Sequence, residues 1–173
     1  GMSLELVAEH LDGELAGMET YRIYLDLATA SDVVTSFSGS EDFALELNTT
    51  TSFYQHPLGA ATPAMLSDMA LDEVPALAYD SYITIGVDGP AGAGEQNTSF
   101  TPGIPGGPVG TWPEEFEAGS NLVINSALGG GWYVTPDASN GVAGDDQRIL
   151  IAQLTTDGDL SGQFRTQIFP EGD

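Results

Sequence analysis

The sequence predicts an all-β fold, an antiparallel two-sheet β-sandwich, on three observations. Apolar and polar residues alternate through most of the chain, the period of a strand with one face in a core. Turn-forming pairs such as Asp157-Gly158 separate the alternating runs. Helical periodicity is thin. About eight or nine strands, a closing hairpin and one long Gly/Pro-rich crossover fit a sandwich, with a jelly-roll-like arrangement as the nearest alternative.

The elements follow in chain order. Tyr21, Ile23, Leu25 and Leu27 form an apolar face opposite Arg22, Tyr24 and Asp26. Phe43, Leu45 and Leu47 repeat the pattern, as do Leu77, Tyr79, Ile83, Ile85 and Val87. Thr62-Pro63 can open a short helix through Asp72, with Met65, Leu66 and Met69 on its apolar side; an irregular crossover is the alternative. Residues 88–119 are rich in Gly and Pro, and Phe100, Trp112 and Phe116 can pin that crossover to the body. Leu122 and Ile124, then Trp132 and Val134, belong to two further strands on either side of Gly129-Gly130-Gly131. At the C-terminus, 148–156 and 159–169 flank Asp157-Gly158, a favoured two-residue hairpin turn. Pairing 156 with 159 puts Ile149, Ile151, Leu160, Phe164 and Ile168 on a core face. The opposite face, with Leu150, Ala152 and Leu154, is mixed in character and calls for partial cover by another segment.

Composition sets the functional limits. The chain has 173 residues, 41% of them apolar, with 26 acidic residues against three basic ones, a formal charge of -23. Arg22, Arg148 and Arg165 are the basic residues; lysine and cysteine are absent. Nucleic-acid binding needs cations to displace phosphate counterions, so it is excluded as a reading. Anionic headgroups are disfavoured in the same way, and no run is apolar enough to insert in a membrane. Without cysteine there are no disulfides and no thiolate chemistry. The charge favours cations and a saline medium, because salt screens self-repulsion. No signal peptide is visible, and Gly1 before Met2 reads as a cleavage scar, so a single domain over 3–173 is expected.

Catalytic signatures are scarce. His10 and His56 stand outside any motif, G-x-S-x-G and H-E-x-x-H do not occur, and a phosphate-binding loop would need lysine. Trp112 with Glu114 and Glu115 is the candidate ligand-binding group: an aromatic for stacking on a sugar beside acids that could bind or cleave it. The alternative is a loop anchor beside a solvated acidic turn. Trp132, in strand alternation with Val134, is assigned to the core. Calcium takes hard oxygen ligands from acidic loops, which makes Asp137, Asp145, Asp146, Asp157 and Asp159 its candidate ligands. None of them has EF-hand spacing, and diffuse cation binding by the acidic surface is the competing reading. Asn48-Thr49-Thr50 and Asn97-Thr98-Ser99 match the glycosylation sequon.

Four segments carry a resemblance: Thr20-Tyr21-Arg22-Ile23-Tyr24-Leu25, Thr50-Thr51-Ser52-Phe53-Tyr54-Gln55, Tyr82-Ile83-Thr84-Ile85-Gly86 and Gln153-Leu154-Thr155-Thr156-Asp157-Gly158-Asp159-Leu160-Ser161-Gly162-Gln163. Together they resemble an uncharacterised module of secreted, often multi-domain proteins of marine bacteria. That resemblance implies an extracellular or cell-surface setting and brings no functional residue with it. The expectation is therefore a non-catalytic binding or adhesion module with a glycan or cell-surface protein partner. The alternative is a carbohydrate-binding or carbohydrate-cleaving domain built on Trp112. A third reading is a fragment lacking a partner segment, which an exposed apolar strand edge would signal.

Overall fold

The computed structural model describes residues 1–101 and 112–173; the middle of the expected crossover, 102–111, lies outside them. Among the described residues the fold is all-β, with eleven strands in three antiparallel sheets and two short helices. The first sheet orders β1 (Met2–Glu9), β2 (Glu19–Asp26), β9 (Arg148–Thr156) and β5 (Tyr82–Ile83). A second orders β10 (Leu160–Gln163), β4 (Leu45–Thr49) and β7 (Leu122–Ile124). The third orders β11 (Arg165–Phe169), β3 (Val33–Gly39), β8 (Gly130–Tyr133) and β6 (Ser99–Thr101).

One apolar cluster draws on all three sheets: Leu25 and Leu154 from the first, Leu45 and Leu122 from the second, Phe37 and Trp132 from the third. Register places its aromatics. Phe37 lies opposite Trp132 across β3 and β8, and Phe100 lies opposite Trp132 across β6 and β8. The Phe37 and Trp132 rings stack with centroids 5.3 Å apart, and Phe164 meets Phe37 edge-on at 5.0 Å. The indole Nε1 of Trp132 donates to the Thr84 carbonyl at 3.2 Å, which satisfies the one polar atom this side chain brings inside. Gly131 permits that packing, because a Cβ at this position would lie 2.0 Å from the Phe37 carbonyl oxygen.

The expected C-terminal hairpin does not form. β9 pairs with β2 and β5, while β10 pairs with β4 and β11 with β3. Asp157-Gly158 is thus a crossing between sheets. The reason lies in β9 itself. Its register against β2 slips between Ile23 and Tyr24, so Ile23 faces Ala152, Tyr24 faces Leu150, and Ile151 is the extra residue. The slip shifts the alternation by one residue. Leu154 and Ala152 on one side of it, and Ile151 and Ile149 on the other, all reach the same core. Leu150 faces the other way and is covered, as its mixed face demanded, by Leu66, Leu77 and Tyr82. A strand with neighbours on both edges has no free edge for a hairpin partner. Ile168, assigned to the core by the hairpin register, is exposed, while Leu160 in β10 and Phe164 at the break between β10 and β11 do pack against the core.

Other expectations are corrected in detail. The 77–87 run holds only the two-residue β5, because Pro75 opens a 3-10 turn over Pro75–Tyr79. The 62–72 segment is a 3-10 turn (Pro63–Met65) followed by α1 (Asp68–Glu73), whose first turn is capped by the Ser67 hydroxyl accepting from the Ala70 N–H. Leu66 is buried there, but Met65 and Met69 face solvent. The crossover contains β6 and α2 (Trp112–Glu117). The C-terminal end is tied back by Asp32, whose carboxylate accepts from the backbone of Glu171, Ala28 and Thr29 and from the Thr29 hydroxyl. The Glu171 N–H is the largest of the effects holding its pKa down at about 2.

Candidate functional site

Strand register builds a polar row across the outer face of the first sheet. Glu5 lies opposite Arg22, Arg22 opposite Gln153, and Gln153 opposite Tyr82, so one line of side chains crosses β1, β2, β9 and β5. The buried Gln153 fixes the row. Its Oε1 accepts from the Arg22 Nε at 3.1 Å, and its Nε2 donates to the carbonyls of Ala78 at 2.9 Å and Asp80 at 3.0 Å. Burial pushes the neighbouring Tyr82 phenol up, so it stays protonated.

The segment 66–79, which holds α1 and the 75–79 turn, covers part of this face through Leu66, Leu71, Val74 and Leu77. Their cover stops beside Arg22 and leaves a cleft of about 590 Å³ between Ser67-Asp68 and the segment 86–90. Arg22 reaches into it and pairs with Asp88 at 3.1 Å. An adjoining cleft of about 320 Å³ shares Arg22, Gly86 and Asp88 and continues to Tyr24, Asp146 and Arg148. There Arg148 lies over the Tyr24 ring, 3.9 Å from its centroid, and pairs with Glu5 at 3.1 Å. The wall carrying Asp88 is held by Asn140, which donates to the carbonyls of Ile85 at 2.6 Å and Gln96 at 3.0 Å and accepts from the Gln96 N–H. Gly86, at φ +75°, has its α-carbon against the Asn140 carbonyl: a Cβ would lie 1.9 Å from that oxygen.

Two of the three arginines therefore meet in one groove, each beside a carboxylate. The Arg22–Asp88 pair sets donors and an acceptor side by side at the solvent boundary, with Leu66 and Leu71 as apolar wall. Asp68, Asp88, Glu95 and Asp146 outnumber the two arginines, which opposes anionic ligands. Ser67, on the groove wall, caps α1 by accepting from the Ala70 N–H.

The sequence-derived candidates lie elsewhere. Trp112 is 4% exposed, with its ring against Phe100 at 5.5 Å and Trp132 at 6.4 Å, so it is a core anchor and not an exposed stacking platform. The reason is helical spacing: α2 puts Trp112 and Phe116 on one buried face and leaves Glu114 and Glu115 in the exposed first turn. Asp137, Asp145, Asp146, Asp157 and Asp159 are all exposed, and among the described residues no three His, Asp or Glu side chains converge to hold a metal ion. Asp157 instead accepts from the Thr51 hydroxyl at 2.6 Å. Asp137 accepts from the Thr135 hydroxyl, which lowers its pKa. Asp146 joins the groove as a wall residue.

The histidines have local roles. His10 Nε2 hydrogen-bonds the Thr20 hydroxyl at 2.9 Å, and His56 sits in a turn, its backbone N–H donating to Asp80 at 2.7 Å. No helix among the described residues is long and apolar enough to cross a membrane. No family model, curated protein or solved structure matches the chain.

Proposed function

We propose that this chain is a non-catalytic β-sandwich module of extracellular or cell-surface setting that binds a neutral, hydroxyl-rich ligand of the glycan class in the Arg22–Asp88 groove. The carrying observation is the Arg22–Asp88 pair itself, held at 3.1 Å over a row locked by Gln153. A guanidinium beside a carboxylate presents the donors and acceptor that adjacent sugar hydroxyls require. The acidic surroundings select against uronic or sulfated sugars. A core shared by the first sheet and the two others supports the sandwich reading. The acidic, lysine-free composition and the resemblance of the strand segments support the extracellular setting. Asp80, the one described carboxyl whose pKa burial raises, is 1% exposed and out of reach of a substrate, which supports a binding rather than a cleaving role.

The test is a glycan array followed by calorimetric titration with neutral and acidic oligosaccharides. Neutral glycans are expected to bind, Arg22→Ala and Asp88→Ala to weaken binding by about tenfold or more, and Trp112→Phe to leave it unchanged. The melting temperature of Asp88→Ala should stay near the parent value, because its exposed carboxylate contributes at most about 1 kcal/mol through the ion pair, whereas Arg22→Ala also removes a donor from the buried Gln153 and should lower it. A preference for acidic glycans, full binding by Arg22→Ala, or no glycan binding at all overturns the reading.

A further inference from the structure

The Arg22–Asp88 groove has two lobes, and the ion pair stands at their junction. Arg22, Gly86 and Asp88 are the residues that line both the cleft of about 590 Å³ and the cleft of about 320 Å³. Each lobe falls within the ~300–1,000 Å³ range of small-molecule pockets. A ligand unit seated on the pair in one lobe therefore has space for a second unit on the far side of the same pair.

The lobes are furnished alike. In the larger one, Arg22 and Asp88 share the lining with the aliphatic Leu66 and Leu71. In the smaller one, Arg148 and Asp146 share it with Val142, which is 40% exposed. Strand geometry offsets the second guanidinium along the groove. Tyr24 follows Arg22 by two residues, on the same face of β2 and about 7 Å further on. Arg148 lies opposite Asp26 in the register but leans back over the Tyr24 ring, 3.9 Å from its centroid, and its Nη1 reaches Glu5 at 3.1 Å. That bond occupies one N–H of the guanidinium and leaves others to face the lobe. Asn140 is wall and not ligand here, because its amide is engaged by Ile85 and Gln96. A site that repeats arginine, carboxylate and aliphatic surface fits a ligand that repeats. Building on the glycan reading, we infer that the groove recognises two consecutive units of a neutral oligosaccharide. Arg22 and Asp88 hold the first unit, Arg148 and Asp146 hold the second, and the latter two residues set a preference for chain length.

The experiment is calorimetric titration of the intact protein with glucose, mannose, galactose and xylose, and with the neutral disaccharides built from each. The reading is the ratio of monosaccharide to disaccharide dissociation constants within one series. In the series that binds, the disaccharide should bind at least about tenfold tighter than its monosaccharide. Arg148→Ala and Asp146→Ala should each bring that ratio down to about threefold or less, while Arg22→Ala weakens both sugars. Asp146 is exposed, so its variant keeps the test independent of folding. A parent ratio near one, or a tenfold ratio that survives in either the Arg148 or the Asp146 variant, overturns the inference and leaves the glycan reading standing. Failure of the parent to bind any of these sugars overturns both.

Discussion

Asp80 makes a prediction whose sign is opposite to that of most carboxylates. Its Oδ1 accepts from the His56 N–H, but its buried Oδ2 has no hydrogen-bond partner. Burial is the largest effect and raises its pKa from 3.8 to about 6; backbone N–H groups of His56, Ala60 and Ser81 work against it, and the charge of Glu117 adds to it. The folded protein thus holds a proton that the unfolded chain has already lost between those two values. The contribution of Asp80 to stability is greatest below about 3.8, falls as pH rises to about 6, and is level beyond. At about 1.4 kcal/mol per pH unit, the interval amounts to about 3 kcal/mol lost by neutral pH. Asp80→Asn keeps the side-chain volume and the Oδ1 acceptor but never ionises. Urea unfolding, followed by fluorescence of the buried Trp112 and Trp132, would be run on both proteins from pH 4 to 7 at constant ionic strength. The remaining acids titrate equally in the two proteins, so the difference isolates Asp80. The variant should gain about 3 kcal/mol relative to the parent across that range. A pH-independent difference, or a relative loss, would refute the reasoning and mean that the carboxylate is already satisfied in its ionised form.

Two further predictions test the core and the acidic surface. Gly131→Ala should cost about 3 kcal/mol or more in a denaturant titration, because the new Cβ meets the Phe37 carbonyl oxygen and backbone has to move; a loss below about 1 kcal/mol would show that β3 and β8 separate easily. After exhaustive chelation, added calcium and magnesium at matched ionic strength should shift the melting temperature equally, since no three acidic or His side chains converge among the described residues. A calcium-specific rise of about 5 °C would locate a preformed site that this side-chain geometry does not contain.

Alternation told faces correctly where a strand keeps its register, because facing is a local property; it failed in β9, whose slip brings Ala152 and Leu154 into the core beside Ile149 and Ile151, and at Ile168, which is exposed. Leu25, Leu45, Leu47, Leu122, Ile124, Trp132 and Val134 all lie in the core that their period predicts. Pairing is not local. Asp157-Gly158 has the chemistry of a tight turn, and that chemistry serves equally well where the chain leaves one sheet for another. Only the use of both edges of β9 by β2 and β5 decides between the two outcomes. One signal was present in the sequence: Ile149 to Leu154 is apolar at five of six positions, which suits a central strand covered on both faces better than one arm of a half-exposed hairpin.

The groove was less legible for the same physical reason. Arg22, Tyr82, Asp88 and Gln153 are far apart in sequence and meet through two registers and one segment clamped by Asn140, none of which leaves a motif. Trp112 drew attention as a large aromatic in a Gly/Pro-rich stretch, yet Trp112-Pro113-Glu114-Glu115-Phe116 already spaces two aromatics one helical turn apart, the spacing of a buried face. The stronger clue was scarcity. In a chain with three cations, an arginine at the centre of a strand flanked by Tyr21 and Ile23 cannot be ordinary surface charge, since nearly every other solvated position is acidic or neutral. Its guanidinium has to be drawn there by specific acceptors, and Gln153 and Asp88 are those acceptors. In so acidic a protein, tracing the rare charge to its partners locates the organised polar surface, whereas clusters of the abundant charge mark only solvated loops.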